Sequence, residues 1–257
     1  SLWSLDLTFE RKGRFQVQQL TASSFELASC QASVFTPDGG FSAAKIVKLF
    51  YPQQEALFDA NPTVLPVPDD APFEIPRVIL ESASHEWKCQ LSPARADVIW
   101  ARTKSTQTKL QLGEFFRNAG DVLIQYTGVL ATRVGRVAGL ATRFAEHEKP
   151  GEFLARHFCK ERWDEKPLNR PENFELHAHK KFTLAGEFRV NSWARNKTGL
   201  LAGDATQKPI VLFEQDINTL AETVADKSFQ NEEVTRFLAA VAAESDVILR
   251  LYYPDVR

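Results

Sequence analysis

Basic and aromatic side chains between residues 133 and 170 are the strongest candidates for chemistry in this sequence. The candidates for contact with nucleic acid are Arg133, Arg136, Arg143, Arg156, Lys160 and Trp163. Cationic groups bind backbone phosphates and aromatic rings stack on bases, so the segment could form a nucleic-acid-binding sheet edge or groove. Six carboxylates interrupt the segment, which favours ordinary surface ion pairing. The same aromatic and arginine side chains are also typical of protein interfaces.

The histidines raise the question of a metal site. His177 and His179 are two residues apart, so on a strand both side chains lie on one face, a spacing found in metal sites. His157 and Cys159 have the same spacing on a predicted helix, where they diverge by about 200°. A zinc site needs three or four converging ligands. The sequence therefore favours strand histidines on a hydrated face and predicts no metal, with His177 and His179 as the remaining candidates.

Motifs for catalysis and for cofactor binding are absent from the sequence. It contains no Gly-x-Ser-x-Gly elbow, no Gly-x-x-x-x-Gly-Lys-Ser/Thr loop and no Gly-x-Gly-x-x-Gly turn. Gly135 and Gly139 lie four apart in an apolar run, where close packing against the preceding helix explains them. We therefore predict no cofactor, assign no catalytic residue and favour a non-enzymatic role.

Composition limits the class of protein and its compartment. The hydrophobic fraction of 44% and the charged fraction of 25% are ordinary for a folded chain, and a net charge of −2 gives no general attraction to polyanions. Three widely spaced cysteines argue against a disulfide framework and for a reducing compartment. No apolar run approaches the roughly 20 residues of a membrane span, and the first residues lack signal-peptide features. We expect a cytoplasmic protein without membrane contact.

The first third of the chain is predicted to be rich in strands. Alternation of apolar and polar residues predicts strands at 5–10, 15–18 and 25–35. Residues 45–51 fit either a strand or a helical segment, and both alternatives stay open. Five prolines make residues 61–76 a connector. It divides an N-terminal part, 1–60, from a main part, 77–257, or else it is an ordered strap across a single domain.

The main part alternates groups of strands with helices. A three-stranded meander is predicted at 77–81, 87–91 and 97–102, followed by a helix at 112–130, a strand at 134–145 and a short helix at 151–159. Further strands are predicted at 174–179, 187–194 and 209–217, with turns at 185–186 and 196–203.

A final helix is predicted to begin with Asn231 as its N-cap. Strands followed by a helix, twice over, indicate an α+β fold in which helices cover one face of an antiparallel sheet. Two similar halves remain an alternative.

Three short motifs resemble a sporadically distributed family of uncharacterised bacterial proteins, often encoded near mobile or defence genes. The motifs are Gln90-Leu91-Ser92 leading through Arg95 to Ile99-Trp100, then Gly135 to Phe144, then Leu212 to Ile217. Together they cover about residues 76–257. Family members tend to have Asn-Trp in place of Ile99-Trp100, and an Asn soon after Arg-Tyr in place of Arg143-Phe144. The resemblance implies a fold and a genomic setting, and it implies no reaction.

These observations rank three functional hypotheses. The leading one is a non-enzymatic interaction or scaffold protein of a bacterial cytoplasmic, defence-associated system, which binds another protein or itself. The second is a nucleic-acid-binding subunit that uses residues 133–170. The third is a small-ligand binder or an enzyme with a dispersed site. Charge reversal at Arg136 and Arg143 tests the second hypothesis, and a pocket with convergent polar groups would favour the third.

Overall fold

A computed structural model describes residues 19–38, 40–68, 70–107, 109–159, 170–201 and 207–255. The strands predicted at 5–10 and 15–18, and the candidates Lys160 and Trp163, lie outside the described residues. Within the described part, nine strands form one antiparallel sheet that is accompanied by four α-helices. The prediction of an α+β fold is confirmed.

The strand order differs from the order of the strands along the chain. The strands are β1 (Glu26–Phe35), β2 (Thr63–Val64), β3 (Val78–Glu81), β4 (Trp87–Leu91), β5 (Arg95–Ala101), β6 (Arg136–Glu146), β7 (Glu175–Leu184), β8 (Phe188–Leu201) and β9 (Lys208–Thr219). Their order in the sheet is β2-β3-β4-β5-β1-β6-β9-β8-β7. β1 therefore lies in the middle of the sheet, paired with both β5 and β6. Among the described strands, β2 and β7 lie at the two edges.

The helices follow the apolar periodicity of the sequence. They are α1 (Ala43–Lys45), α2 (Leu112–Leu130), α3 (Pro150–Phe158) and α4 (Asn231–Tyr252). α2 buries Phe115, Phe116, Leu123 and Tyr126, which recur at helical spacing on one side. None of the described helices combines the length and the apolarity that are needed to cross a membrane.

The long helices cover one face of the sheet, which we call the helix face. Gly139 on β6 lies directly beneath α2 and α4, because a Cβ atom built on it would be 2.8 Å from Val241 Cγ1 and 2.9 Å from Phe116 Cε1. The close packing inferred for this glycine is therefore confirmed. Tyr253, just beyond α4, packs on Phe213 of β9 and on His157 of α3, so α3 lies on the same face.

The proline-rich connector is joined to the sheet. Its Thr63 and Val64 form β2 and pair with Ile79 and Val78 of β3. Whether residues 61–76 separate two domains stays a prediction.

Three local predictions need comment. The N-cap of α4 is Gln230 and not Asn231, because the Gln230 backbone N–H donates to Glu233 Oε2 at 2.8 Å in a capping box. The turn predicted at 196–203 is wrong over residues 196–201, since β8 continues to Leu201 and Asn196 pairs with Phe213. The segment left open at 45–51 is helical, with a π-helical turn at Ile46–Phe50.

Candidate interaction surface

The second face of the sheet, which we call the open face, differs in burial from the helix face. Leu140 on β6 and Asp216 on β9 are half-buried, whereas their chain neighbours on the helix face, Ala141 and Gln215, are each 1% exposed. Strand pairing aligns the open-face side chains in rows. One such row consists of Lys88, Ile99, Gln31, Leu140, Asp216, Trp193 and His179.

A polar cluster occupies the open face on β1 and β5. Asp97 Oδ1 accepts hydrogen bonds from Ser33 Oγ at 2.5 Å, Arg95 Nε at 2.6 Å and Gln31 Nε2 at 3.0 Å. Ser33 and Asp97 are almost fully buried at 2% and 8% exposure. Because a buried carboxylate is stable only when it is hydrogen-bonded, this cluster serves the packing of β1 against β5.

Beside this cluster, the Phe35 ring lies between the side chains of Arg95 and Arg136. The guanidinium carbons of Arg95 and Arg136 are 5.1 Å and 4.7 Å from the centroid of Phe35, which lies between them on β1. Arg136 also donates to Asn218 Oδ1 at 2.6 Å and to the Thr219 carbonyl at 3.1 Å. Burial lowers the pKa of the Arg136 guanidinium. Arg136 is thus held by one ring and two acceptors.

The open face of β7 and β8 combines an aromatic ring with several basic groups. The His179 ring stacks on Trp193 with centroids 4.4 Å apart, and the Arg195 guanidinium lies 5.1 Å from the same ring. Arg195 Nη1 is 2.5 Å from Glu214 Oε1. We call this region the β7–β8 corner. Its basic and histidine side chains are His177, His179, Lys181, Arg189, Arg195 and Lys197.

β7 forms one edge of the sheet, and its exposure could not be inferred from the sequence. It pairs with β8 over all ten of its residues without a shift in register. The Thr198 amide donates to the Phe174 carbonyl at 3.2 Å, and the Glu187 amide donates to the Leu184 carbonyl at 3.0 Å. Even-numbered residues therefore direct their backbone groups at β8, because antiparallel pairing alternates the direction along a strand.

The same alternation sets the direction of the remaining backbone groups. The N–H and C=O groups of the odd-numbered residues point to the outer side of β7. These residues are Glu175, His177, His179, Lys181 and Thr183, and each is exposed. β7 thus presents five consecutive pairs of outward backbone groups, and the open-face side chains belong to the same residues.

The arginines predicted to bind nucleic acid do not share one surface. Arg133 donates two hydrogen bonds to Asp38, each 2.9 Å long, and also contacts the Lys227 carbonyl. Arg136 lies on the open face, whereas Arg143 is buried on the helix face at 4% exposure. They lie on opposite faces because seven positions separate them on one strand. Arg156 is exposed on α3.

The two candidate metal ligands lie on one face of β7, as the alternation predicts. His177 Nε2 is 3.3 Å from Glu175 Oε2, and His179 Nε2 is 3.4 Å from Asn191 Oδ1 while its ring stacks on Trp193. Among the described residues, no group of three or more His, Cys, Asp or Glu side chains could hold a metal ion. His157 is bonded through Nε2 to the Tyr252 carbonyl at 2.7 Å.

Two cavities adjoin the helices. One, of about 270 Å³, lies between the start of α2 and the last turns of α4, and its charged groups are paired: Arg143 with Asp246 at 2.6 Å, and Arg102 with Glu26 at 2.5 Å. Its described lining also includes Lys109, whose Nζ is 3.6 Å from Glu26 Oε1. The other, of about 420 Å³, lies between the start of α3 and the strands β8 and β9.

Comparisons with models of protein families and with curated proteins find no match for this chain. The resemblance drawn from the three sequence motifs therefore stays a prediction, and the functional argument depends on the geometry of the β7 edge and the β7–β8 corner.

Proposed function

We propose that this protein is a non-enzymatic interaction protein that binds a protein partner along the edge strand β7. One observation carries the proposal: β7 presents the outward backbone groups of five exposed residues in an unbroken row. An extended segment of another protein can pair with such an edge by backbone hydrogen bonds, which is the β-augmentation mode of recognition.

The edge strand β2 at the other side of the sheet is much less suited to pairing than β7, which supports β7 as the binding edge. β2 has only two residues, and Pro62 and Pro66 flank it, so it offers few backbone groups. Short strands and prolines are common devices against unwanted edge pairing. β7 contains neither proline nor glycine and has no bulge in its pairing with β8. Among the strands that the structure describes, the sheet thus offers little for pairing at the β2 edge and a full strand at the β7 edge.

The proposed setting is the reducing cytoplasm of a bacterium, in a defence-associated system. Support for the compartment comes from the cysteines, which are all unpaired. Burial raises the pKa of the Cys30 thiol to about 12 and that of the Cys89 thiol still further. Such thiols are inert packing groups. The bacterial and defence-associated setting depends on the sequence resemblance alone.

A photo-crosslinking experiment in the native host tests the proposal. A benzophenone amino acid at Thr183 on β7 is compared with one at Thr63 on β2, both of which are exposed. We expect a discrete protein adduct from Thr183 and none from Thr63. Equal adducts from both positions, or none from either, would contradict the proposal. A nuclease-sensitive adduct would favour the nucleic-acid hypothesis instead.

A further inference from the structure

We propose that the segment bound by β7 is an extended strand that alternates apolar and acidic residues. This inference depends on the proposed use of β7 as a protein-binding edge, and it adds the chemistry of the partner. It follows from the side chains that a tenth strand would meet on each face of the sheet.

On the open face, an added strand meets side chains that donate hydrogen bonds. The central positions of β7 on this face are His177, His179 and Lys181. His177 Nε2 is 3.3 Å from Glu175 Oε2 and Lys181 Nζ is 3.0 Å from Glu222 Oε1, and both are exposed pairs that a carboxylate of the added strand would have to replace or join. Residues directly opposite one another in an antiparallel pair have Cβ atoms about 4.5–5.5 Å apart, and oppositely charged pairs stabilise the sheet. Glutamate or aspartate in the added strand would accept from these N–H groups. Lysine in the added strand would repel Lys181.

On the helix face, the added strand meets a mainly apolar surface. Leu176, Ala178 and Phe182 are half-buried there, and Phe182 packs against the hydrophobic core. The ammonium group of Lys180 lies 4.3 Å from the Phe182 ring centroid, so its charge is directed over that ring. Valine or isoleucine in the added strand would cover the exposed parts of these side chains. The two faces together therefore select an alternating segment.

A second copy of this chain brings no carboxylate opposite the three central donors when β7 pairs with itself in the antiparallel register centred on His179. If β7 paired with β7 of another copy in antiparallel register about His179, each His179 would face its counterpart and Lys181 would face His177. Lysines on an edge are a common protection against self-pairing, and Lys180 and Lys181 lie on β7. The exposed N–H donors of His177, His179 and Lys181 favour a partner that supplies carboxylate acceptors.

Synthetic peptides test the inference directly on the whole 257-residue chain. The probe is a fluorescent ten-residue peptide that alternates valine with glutamate. The controls alternate valine with lysine or with serine, or have the same valine and glutamate residues in two separate blocks. By anisotropy we expect the alternating glutamate peptide to bind at least about tenfold more tightly than each control. Equal binding of the block peptide would overturn the inference, because charge alone would then explain it.

A matched pair of variants tests whether β7 is the edge involved. His177→Pro removes the side chain and one outward N–H, whereas His177→Ala removes the side chain and keeps the N–H. We expect His177→Pro to weaken binding by about tenfold relative to His177→Ala, as for the loss of one hydrogen bond. Equal affinities of the two variants would overturn the inference.

Backbone hydrogen exchange provides a readout that does not depend on any variant. When the peptide binds, we expect the amides of His177, His179 and Lys181 to gain protection. Peptide binding that leaves these amides unprotected would overturn the inference.

The failures of the two proposals are distinguishable. If the lysine or serine peptide binds best and still protects the odd-numbered amides of β7, the acidic chemistry is wrong and the binding edge stands. If no alternating peptide protects those amides and no adduct forms at Thr183, both proposals are wrong. A dimer that His177→Pro abolishes, in protein that binds none of the peptides, would overturn the inference in favour of a second copy.

Discussion

Two arginine–carboxylate pairs on opposite faces of the sheet have nearly the same length and very different surroundings. Arg143 on the helix face is 2.6 Å from Asp246 of α4, and its side chain is 5% exposed. Arg195 on the open face is 2.5 Å from Glu214 of β9, and its side chain is 22% exposed. The first pair joins a helix to the sheet, whereas the second joins two strands that are already paired.

The difference indicates how the chain uses its polar groups. On the helix face, polar side chains link the layers: Gln215 accepts from Arg143 and donates to the Ser245 carbonyl of α4 at 2.8 Å. Burial lowers the pKa of Arg143, and the Asp246 charge opposes that shift. On the open face, the Arg195 side chain is 22% exposed and is therefore closer to water than Arg143. Changes on the helix face should therefore alter folding, and changes at the β7–β8 corner should alter binding.

Loss of Asp246 is expected to have the largest effect on stability. Asp246→Ala leaves the Arg143 guanidinium, whose side chain is 5% exposed, without its counter-charge. Asp246 itself is 52% exposed, so water partly replaces it, and the free energy of unfolding should fall by about 2–3 kcal/mol. Urea unfolding at constant m-value measures the change. A loss below about 1 kcal/mol would mean that water reaches Arg143 and that the two faces are electrostatically alike.

Gly139→Ala is expected to have the second-largest effect on stability, because it places a methyl group between the sheet and both long helices. The new Cβ would be 2.8 Å from Val241 Cγ1, so overpacking should cost about 1–3 kcal/mol. Gly128→Ala is the matched control, since no atom lies within 4 Å of its added Cβ and alanine favours the helix by about 1 kcal/mol. Thermal or urea unfolding should shift in opposite directions for the two variants. Similar losses would refute close packing at Gly139.

Removal of the Tyr253 hydroxyl is expected to have an intermediate effect. That hydroxyl donates to Asn196 Oδ1 at 2.6 Å, and both residues are 0% exposed. Tyr253→Phe leaves a buried acceptor unpaired, so stability should fall by about 2 kcal/mol. Tyr252→Phe, at a half-buried ring, should change stability by less than about 0.5 kcal/mol. Equal effects in urea unfolding would contradict this assignment.

Loss of Glu214 is expected to have the smallest effect on stability. Glu214→Ala breaks the open-face pair, and Arg195 keeps its contact with the Trp193 ring and with water. We expect a loss of at most about 1 kcal/mol, which high salt should reduce further. Urea titrations at low and high salt measure it beside Asp246→Ala. A loss of stability as large as that of Asp246→Ala would show that ion pairs on the two faces contribute equally and would contradict the comparison.

Much of the secondary structure could be predicted from local patterns. The alternation at 87–91 and 97–102 and the helical spacing from Leu112 to Leu130 correspond to β4, β5 and α2. The turn at 196–203 was predicted wrongly over residues 196–201, because Asn196 and Gly199 are typical turn residues, yet here pairing with β9 extends β8 through both. Tertiary pairing overrides such local preferences.

The candidate site, like the secondary structure, could be predicted only in part from local patterns. The alternation places His177 and His179 on one face, and by the same rule it separates Arg136 from Arg143. Exposure of β7 and its contact with Trp193 could not be predicted, because both depend on which strands are neighbours. The open edge was therefore absent from the sequence-based candidates.

By itself, the sequence determined the class of fold, most element boundaries and which residues share a face, because these depend on periodicities of two and 3.6 residues. The tertiary structure alone decided that β1 lies between β5 and β6, that helices cover the face with Arg143, and that β7 is left at an edge. Strand order is set by the free energy of long-range pairing and burial over the whole sheet. No local sequence pattern determines this total free energy, so the strand order could not be predicted from the sequence.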